Sequence, residues 1–128
     1  MFQQVTKKIK ISVRTKYNGL VAHNAKNYHA FSYFISIENK SKETVQLIER
    51  FWNIHDSLNI TEHISGDGVV GQTPVIRPNE EYNYRSNCFL ISTTGSMSGS
   101  YKMINTNSLE EFFVTIPTFQ LNTKPSIN

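Results

Sequence analysis

In His29-Ala30-Phe31-Ser32-Tyr33-Phe34-Ile35-Ser36-Ile37-Glu38, the residues Phe31, Tyr33, Ile35 and Ile37 alternate with Ala30, Ser32, Phe34, Ser36 and Glu38. A period of two is that of a β-strand, whose successive side chains leave on opposite faces. The first set therefore faces a core and the second a more polar surround. Glu38-Asn39-Lys40-Ser41 closes the strand with charged, turn-forming residues. Upstream, Ile9, Ile11 and Val13 alternate with Lys8, Lys10, Ser12 and Arg14, which predicts a second half-buried strand. Between the two, Tyr17 to Asn27 contains Gly19 and three Asn without a clear period and reads as a loop.

Downstream, Val45 to Asp56 predicts a strand with Gln46, Ile48, Arg50, Trp52 and Ile54 on one face and Val45, Leu47, Glu49, Phe51 and Asn53 on the other. Both faces are partly apolar, as in a central strand or one that bends between environments. In this phase Trp52 lies between sheets beside Ile48 and Ile54, and Phe51 points away. A turn at Asp56-Ser57-Leu58-Asn59 leads to a short strand through Ile60, Glu62 and Ile64, and Gly66 to Asn79 reads as a loop. Further strands are predicted from Tyr82 towards Phe89, from Met97 to Ile104, and from Phe112 to Ile116, ending before Pro117.

Seven strands without a helical period predict an all-β chain: an antiparallel β-sandwich of the immunoglobulin or fibronectin type III kind. A chain of 128 residues suits one domain, assigned to residues 1–121, with 122–128 as a flexible polar tail. Hydrophobic residues are 38% and charged residues 18%, which excludes a disordered chain. Uninterrupted apolar runs reach only three or four residues, against the roughly 18 to 20 of a membrane helix, so a helical channel or transporter is excluded. The start lacks an apolar signal-peptide core and Cys88 is the sole cysteine; both predict a cytoplasmic location.

Gly66-Asp67-Gly68-Val69-Val70-Gly71 is a literal G-x-G-x-x-G after a predicted strand. In dinucleotide folds such glycines admit a pyrophosphate to the N-terminus of the following helix. Here Pro74, Pro78 and the β-branched Val69, Val70, Val75 and Ile76 preclude that helix, and Asp67 adds a negative charge. The expectation is a structural loop with positive φ, with an anion nest of loop amides as the alternative. His23, His29, His55 and His63 lack the short spacings of a zinc site, and no metal or cofactor is assigned. Cys88 has no nucleophile-elbow context and reads as a buried, unreactive thiol; Glu80-Glu81 and Glu110-Glu111 read as solvated strand entries.

The first 37 residues carry six basic residues and no acidic one, with Lys8, Lys10, Arg14 and Lys16 on one face. Such a stripe can follow phosphates, but the net charge is only +3 and no aromatic platform is expected there. Nucleic acid is therefore not the expected partner, and the lysines read as guards of an edge strand.

Taken in order, the motifs resemble the ApaG family, an uncharacterised-domain family numbered 525. The blocks are Phe31-Ser32-Tyr33 with Ile35, Ile37 and Asn39; Val45-Gln46-Leu47 with Trp52, Ile54 and Asp56; Gly66-x-Gly68-Val69-Val70-Gly71 with Pro74, Pro78 and Glu80; Tyr84-x-Ser86-x-Cys88 with Leu90; Gly95-Ser96-Met97-x-Gly99-x-Tyr101; and Phe112-x-Val114-x-Ile116-Pro117-x-Phe119-x-Leu121. Phe51, Asn79 and Phe89 depart from the family's usual His, Gly and Pro. The resemblance implies a fibronectin-like sandwich, no established enzyme activity, and an association with cobalt resistance and magnesium efflux that is indirect in a chain without a spanning helix. It implies structural roles for Trp52, Cys88, Gly95, Ser96, Met97, Gly99 and Tyr101. The expected function is a non-enzymatic module that binds a protein partner. The alternative is a small-molecule module holding a pyrophosphate-containing nucleotide or metal-phosphate in the Gly66–Gly71 loop. An exposed sheet edge would leave homo-oligomerisation open.

Overall fold

The structure is a computed structural model that describes residues 1–124. Among the described residues nine strands form: β1 (Phe2–Thr6), β2 (Ile9–His23), β3 (Lys26–Asn39), β4 (Val45–Asp56), β5 (Glu62–Asp67), β6 (Val75–Ile76), β7 (Glu81–Leu90), β8 (Thr94–Asn105) and β9 (Glu111–Asn122). They build two antiparallel sheets packed as a β-sandwich. One runs β1-β2-β3-β7; the other runs β5-β4-β8-β9, with β6 joining β4 beyond the end of β5.

The strand expected through Ile60 to Ile64 runs instead as Glu62–Asp67, and three others depart from the sequence expectation through a one-residue irregularity that preserves pairing while changing phase. The expected loop from Tyr17 to Asn27 is mostly ladder. β2 absorbs Asn18 as a bulge between Tyr17 and Gly19 and continues to His23, leaving Asn24-Ala25 as the turn. A two-residue hairpin turn of type I′ has positive φ at both positions, and Asn24 and Ala25 adopt 49° and 64°. β9 does not stop at Pro117: a register shift opposite Met97 and Gly99 brings Ile116, Pro117, Phe119 and Leu121 all inward. A bulge is where a strand tolerates a residue without an N–H. In β4, an extra residue between Leu47 and Glu49 reverses the phase, so Val45, Leu47 and Trp52 are buried while Ile48 is not in the core. Trp52 thus lies inward as expected, with the partly buried Ile54 packed against the same core, but Val45 and Leu47 take the place expected of Ile48.

β1 and the two-residue β6 add to the seven expected strands. β1 pairs with β2 over Ile9–Val13 through a turn at Lys7-Lys8, φ 48° and 66°, so this part of β2 is internal to its sheet and Lys8 and Lys10 do not guard an edge; beyond Val13, where Arg14 and Lys16 lie, β2 pairs with β3 alone. Asn122 ends β9, and residues 125–128 of the expected tail lie outside the described residues.

The core is aromatic where the sheets meet. Trp52 stands edge-on to Tyr101 and Phe119, at ring-centroid distances of 6.3 and 5.9 Å, and contacts Tyr33 of the opposite sheet at 5.5 Å. The buried Tyr101 hydroxyl bonds the Tyr84 hydroxyl across the sandwich. At one corner, the fully buried Asn39 donates to Glu43 O at 2.7 Å and Ile76 O at 2.9 Å, while its oxygen accepts from Ser41 N and Oγ. Every hydrogen-bonding atom of that amide is used, so its burial carries no unpaired-group penalty.

With Trp52 only 4% exposed and three rings resting on it, Trp52→Ala is expected to cost about 3–5 kcal/mol. Intrinsic fluorescence of the folded protein should be blue-shifted and resistant to acrylamide until the fold melts. Red-shifted, readily quenched emission would place this ring outside the core.

Candidate functional site

The Gly66–Gly71 segment runs along the edge of β4: Gly66 and Asp67, expected in a loop, end β5 opposite Arg50 and Glu49, and Gly68–Gly71 fill the gap before β6. Gly68 N donates to Ile48 O at 2.9 Å, using the carbonyl at the β4 bulge, and Leu47 N donates to Pro74 O at 3.0 Å where pairing resumes. Between these, Val69 and Gln72 exchange backbone bonds of 2.8 and 3.0 Å around Val70 and Gly71, whose φ values are 47° and 75°. This is a tight two-residue turn, with Val69 buried beneath it. No helix follows; the chain enters β6. Arg50, absent from the sequence reading of this loop, lies across Gly66 and donates from Nη1 to Asp67 O at 2.8 Å and Gly68 O at 3.1 Å. The amides of Gly68, Val69 and Gln72 are thus committed to carbonyls, whereas the exposed Val70 and Gly71 donate no backbone bond among the described residues. Asp67 is exposed beside them.

The remaining motif residues surround Trp52. In β8, Met97 and Tyr101 are buried in the core, Ser96 pairs with His55, and Gly99 lies opposite Trp52. A Cβ on Gly99 would come within 2.0 Å of Phe51 O, so close approach of β4 and β8 requires glycine there. Cys88 is 4% exposed on the inner face of β7. Burial, reinforced by the charges of Glu62 and Asp56, pushes its thiol up to about 12, which suppresses the thiolate that nucleophilic chemistry needs.

Asp56 ends β4 and gathers two loops. Its carboxylate accepts from Ile91 N at 2.6 Å, Ser92 N at 3.2 Å, the Ser92 hydroxyl and Leu58 N at 3.4 Å. Partial burial pushes its pKa up, but the bonds from Ser92, Ile91 and Leu58 outweigh this and hold the group below its ordinary 3.8. The loops so joined expose Leu58, Ile60 and Ile91 at 75%, 80% and 40%.

The histidines are dispersed. His29 bonds Tyr17 at 2.8 Å, His55 bonds Thr61 at 3.0 Å, His63 bonds Asn53, and His23 lies at the β2–β3 hairpin. Among the described residues no three His, Cys, Asp or Glu side chains converge as a metal site would require. Glu80 accepts from Arg77 N, and Glu111 pairs with Lys102 at 3.1 Å. On the outer face of the β1-β2-β3-β7 sheet, the aromatic thought missing is present. Phe34 of β3 lies between Arg14 of β2 and Arg85 of β7, with guanidinium carbons 5.2 and 5.5 Å from its ring centroid.

The class defined by these features is a two-sheet antiparallel β-sandwich whose Gly-rich motif completes a sheet edge, with apolar loops displayed at one end. The chain belongs to the ApaG family: the ApaG domain, DUF525, matches residues 21–105. Protein ApaG of Rhodospirillum centenum and that of Mesorhizobium japonicum are each 38% identical over 122 residues, which cover 95% of this chain and 93% of each relative. The X-ray structure of structural-genomics target SoR45 superposes with a TM-score of 0.86 at 36% identity, covering 94% of this chain and 90% of that one.

Two outcomes follow. A Cβ on Gly68, at φ +59°, would fall 2.0 Å from Gln72 O, whereas one on Gly71 meets nothing within 4 Å. Gly68→Ala should therefore destabilise by more than about 2 kcal/mol in urea unfolding, beyond the roughly 1–2 of the left-handed backbone alone; Gly71→Asn should be near neutral. Asp56, with its folded pKa below 3.8, contributes stability above that value that is lost as pH falls through the folded pKa. The difference in Tm between the wild type and Asp56→Asn should be constant above about pH 5 and shrink below about pH 4. A difference that does not vary with pH would contradict the charged clamp.

Proposed function

We propose that the chain is a non-enzymatic, cytoplasmic binding module that recognises a protein partner through the loops gathered by Asp56. The observation that carries this is the pairing of a rigid polar clamp with exposed aliphatics. One carboxylate fixes the Leu58 and Ile91 amides together, and the side chains beside them face solvent. Apolar groups held in place lose little conformational entropy on docking, which favours recognition by loops on a stable scaffold. Among the described residues no helix is long and apolar enough to cross a membrane. The bearing on cobalt and magnesium homeostasis implied by the family resemblance then runs through the partner rather than through ion transport by this chain.

A tagged wild-type chain should retain a stoichiometric protein partner from lysate. Leu58→Glu/Ile60→Glu should lose that partner while keeping its Tm within a few degrees. Retention of the same partner by the variant would move the interface elsewhere, and turnover of a small molecule would remove the non-enzymatic reading. Calorimetry with pyrophosphate and ATP, with and without Mg²⁺, tests the alternative. Heat that responds to substitution of Asp67 would favour a ligand at the amides of Val70 and Gly71.

A further inference from the structure

We infer that the outer face of the β1-β2-β3-β7 sheet is a binding platform for single-stranded nucleic acid, separate from the loop end and independent of the protein-partner reading. The ladder register arranges this face in cross-strand rows. Glu38 and Glu81 share one row with Lys10, followed by Ser12-Ser36-Asn83, Arg14-Phe34-Arg85, Lys16-Ser32-Asn87, Gly19-Ala30-Phe89, Val21-Tyr28 and His23-Lys26. The acidic residues are confined to the first row. From Arg14 to the hairpin the rows carry Arg14, Arg85, Lys16 and Lys26 and no carboxylate.

Among the described residues the ion pairs are Lys40–Glu38, Lys102–Glu49 and Lys102–Glu111, so neither these arginines nor Lys16 is neutralised by a neighbour. Phe34 holds both guanidiniums over its ring, and Arg85 also reaches Ser32 Oγ at 3.4 Å. Two arginines fixed at one level are set to grip phosphate oxygens, since the planar fork loses little freedom on forming charge-assisted bonds.

The chemistry along the rows distinguishes nucleic acid from a simple polyanion. Beyond the arginine row, Asn87 and Asn18 both bond the buried Ser32, which orients amides that can meet base edges. Next, Phe89 is 55% exposed and lines an apolar depression of about 380 Å³ with Val21, His23 and Tyr28. An inorganic anion or acidic peptide gains nothing from this aromatic end, whereas bases stack on such rings in a sequence-tolerant way. At about 6.8 Å per two residues, the arginine and Tyr28 rows stand about 20 Å apart, room for about three nucleotides of extended chain. A duplex, rigid and with its bases already stacked, cannot use the rings.

The test is fluorescence anisotropy with a labelled 12-mer of mixed-sequence single-stranded RNA, with its DNA counterpart, a duplex RNA, a poly-glutamate peptide and anionic phosphatidylserine vesicles as comparators. Single strands should bind at least about tenfold more tightly than the duplex, the peptide or the vesicles. Arg14→Gln and Arg85→Gln should each weaken binding by about five- to tenfold and flatten the plot of log K against log salt by about 0.7 per lost phosphate contact. Phe89→Ser, at an exposed site, should weaken it by at least about fivefold with little change in salt slope. Arg77→Gln, which removes an exposed cation outside this sheet, should leave binding unchanged. Far-UV circular dichroism and Trp52 fluorescence confirm that each variant is folded. Failure of any folded form to bind single strands at 50 mM salt, equal affinity for poly-glutamate or vesicles, or indifference to the arginine and Phe89 substitutions would overturn the assignment.

Discussion

A single extra residue in β4, at Ile48, is the constraint on which the sandwich turns. A strand in strict alternation that buried Val45 and Leu47 would turn Trp52 outward; the bulge lets all three enter the same core. Trp52 then brings Tyr33, Tyr101 and Phe119 together from three other strands. The same irregularity lets Ile48 O accept the Gly68 amide, so the glycine loop seats where β4 would otherwise have an open edge. Gly99 answers it from the other side by allowing the β4 carbonyl at Phe51 to approach β8. Motif blocks that lie far apart in the chain are thus parts of one packing arrangement.

Two polar residues hold the ends of this arrangement without disturbing its interior. Asn39 ties the β3–β4 turn to β6 with a fully satisfied amide, and Asp56 ties the end of β4 to the loop after β7. Buried polar groups specify a structure only when every partner is supplied, because an unpaired one costs more than a paired one contributes. Among the described residues no buried side-chain nitrogen or oxygen lacks a partner. Function is therefore best sought on the surface these staples present. The loop end shows aliphatic side chains, whereas the outer face of the β1-β2-β3-β7 sheet shows cations, amides and rings.

Much of the fold was legible in the chain. The alternation of Phe31, Tyr33, Ile35 and Ile37 identifies an inward face because strand geometry is local, and the bounds of β4 could be read from its composition and the turn after it. The resemblance to the ApaG family could likewise be read from the order of the blocks. The continuation of β2 past Tyr17, the run of β9 through Pro117 and the place of Leu47 beside Trp52 were not legible. Each depends on a bulge, and a bulge is stabilised by the register of the partner strand rather than by the residues within it.

The same limit separates the two accounts of the charged face. The sequence by itself determined that β2 alternates aliphatic with basic residues and that Phe34 faces away from the core, because both follow from a period of two along one strand. Only the tertiary structure decided that β1 covers β2 from Ile9 to Val13 and that Arg14, Phe34 and Arg85 stand in one row. Arg85 lies far beyond Phe34 in the sequence. Their adjacency comes from the antiparallel pairing of β3 with β7, which is set by how the inner faces of the two sheets fill the core and not by any pattern local to either strand.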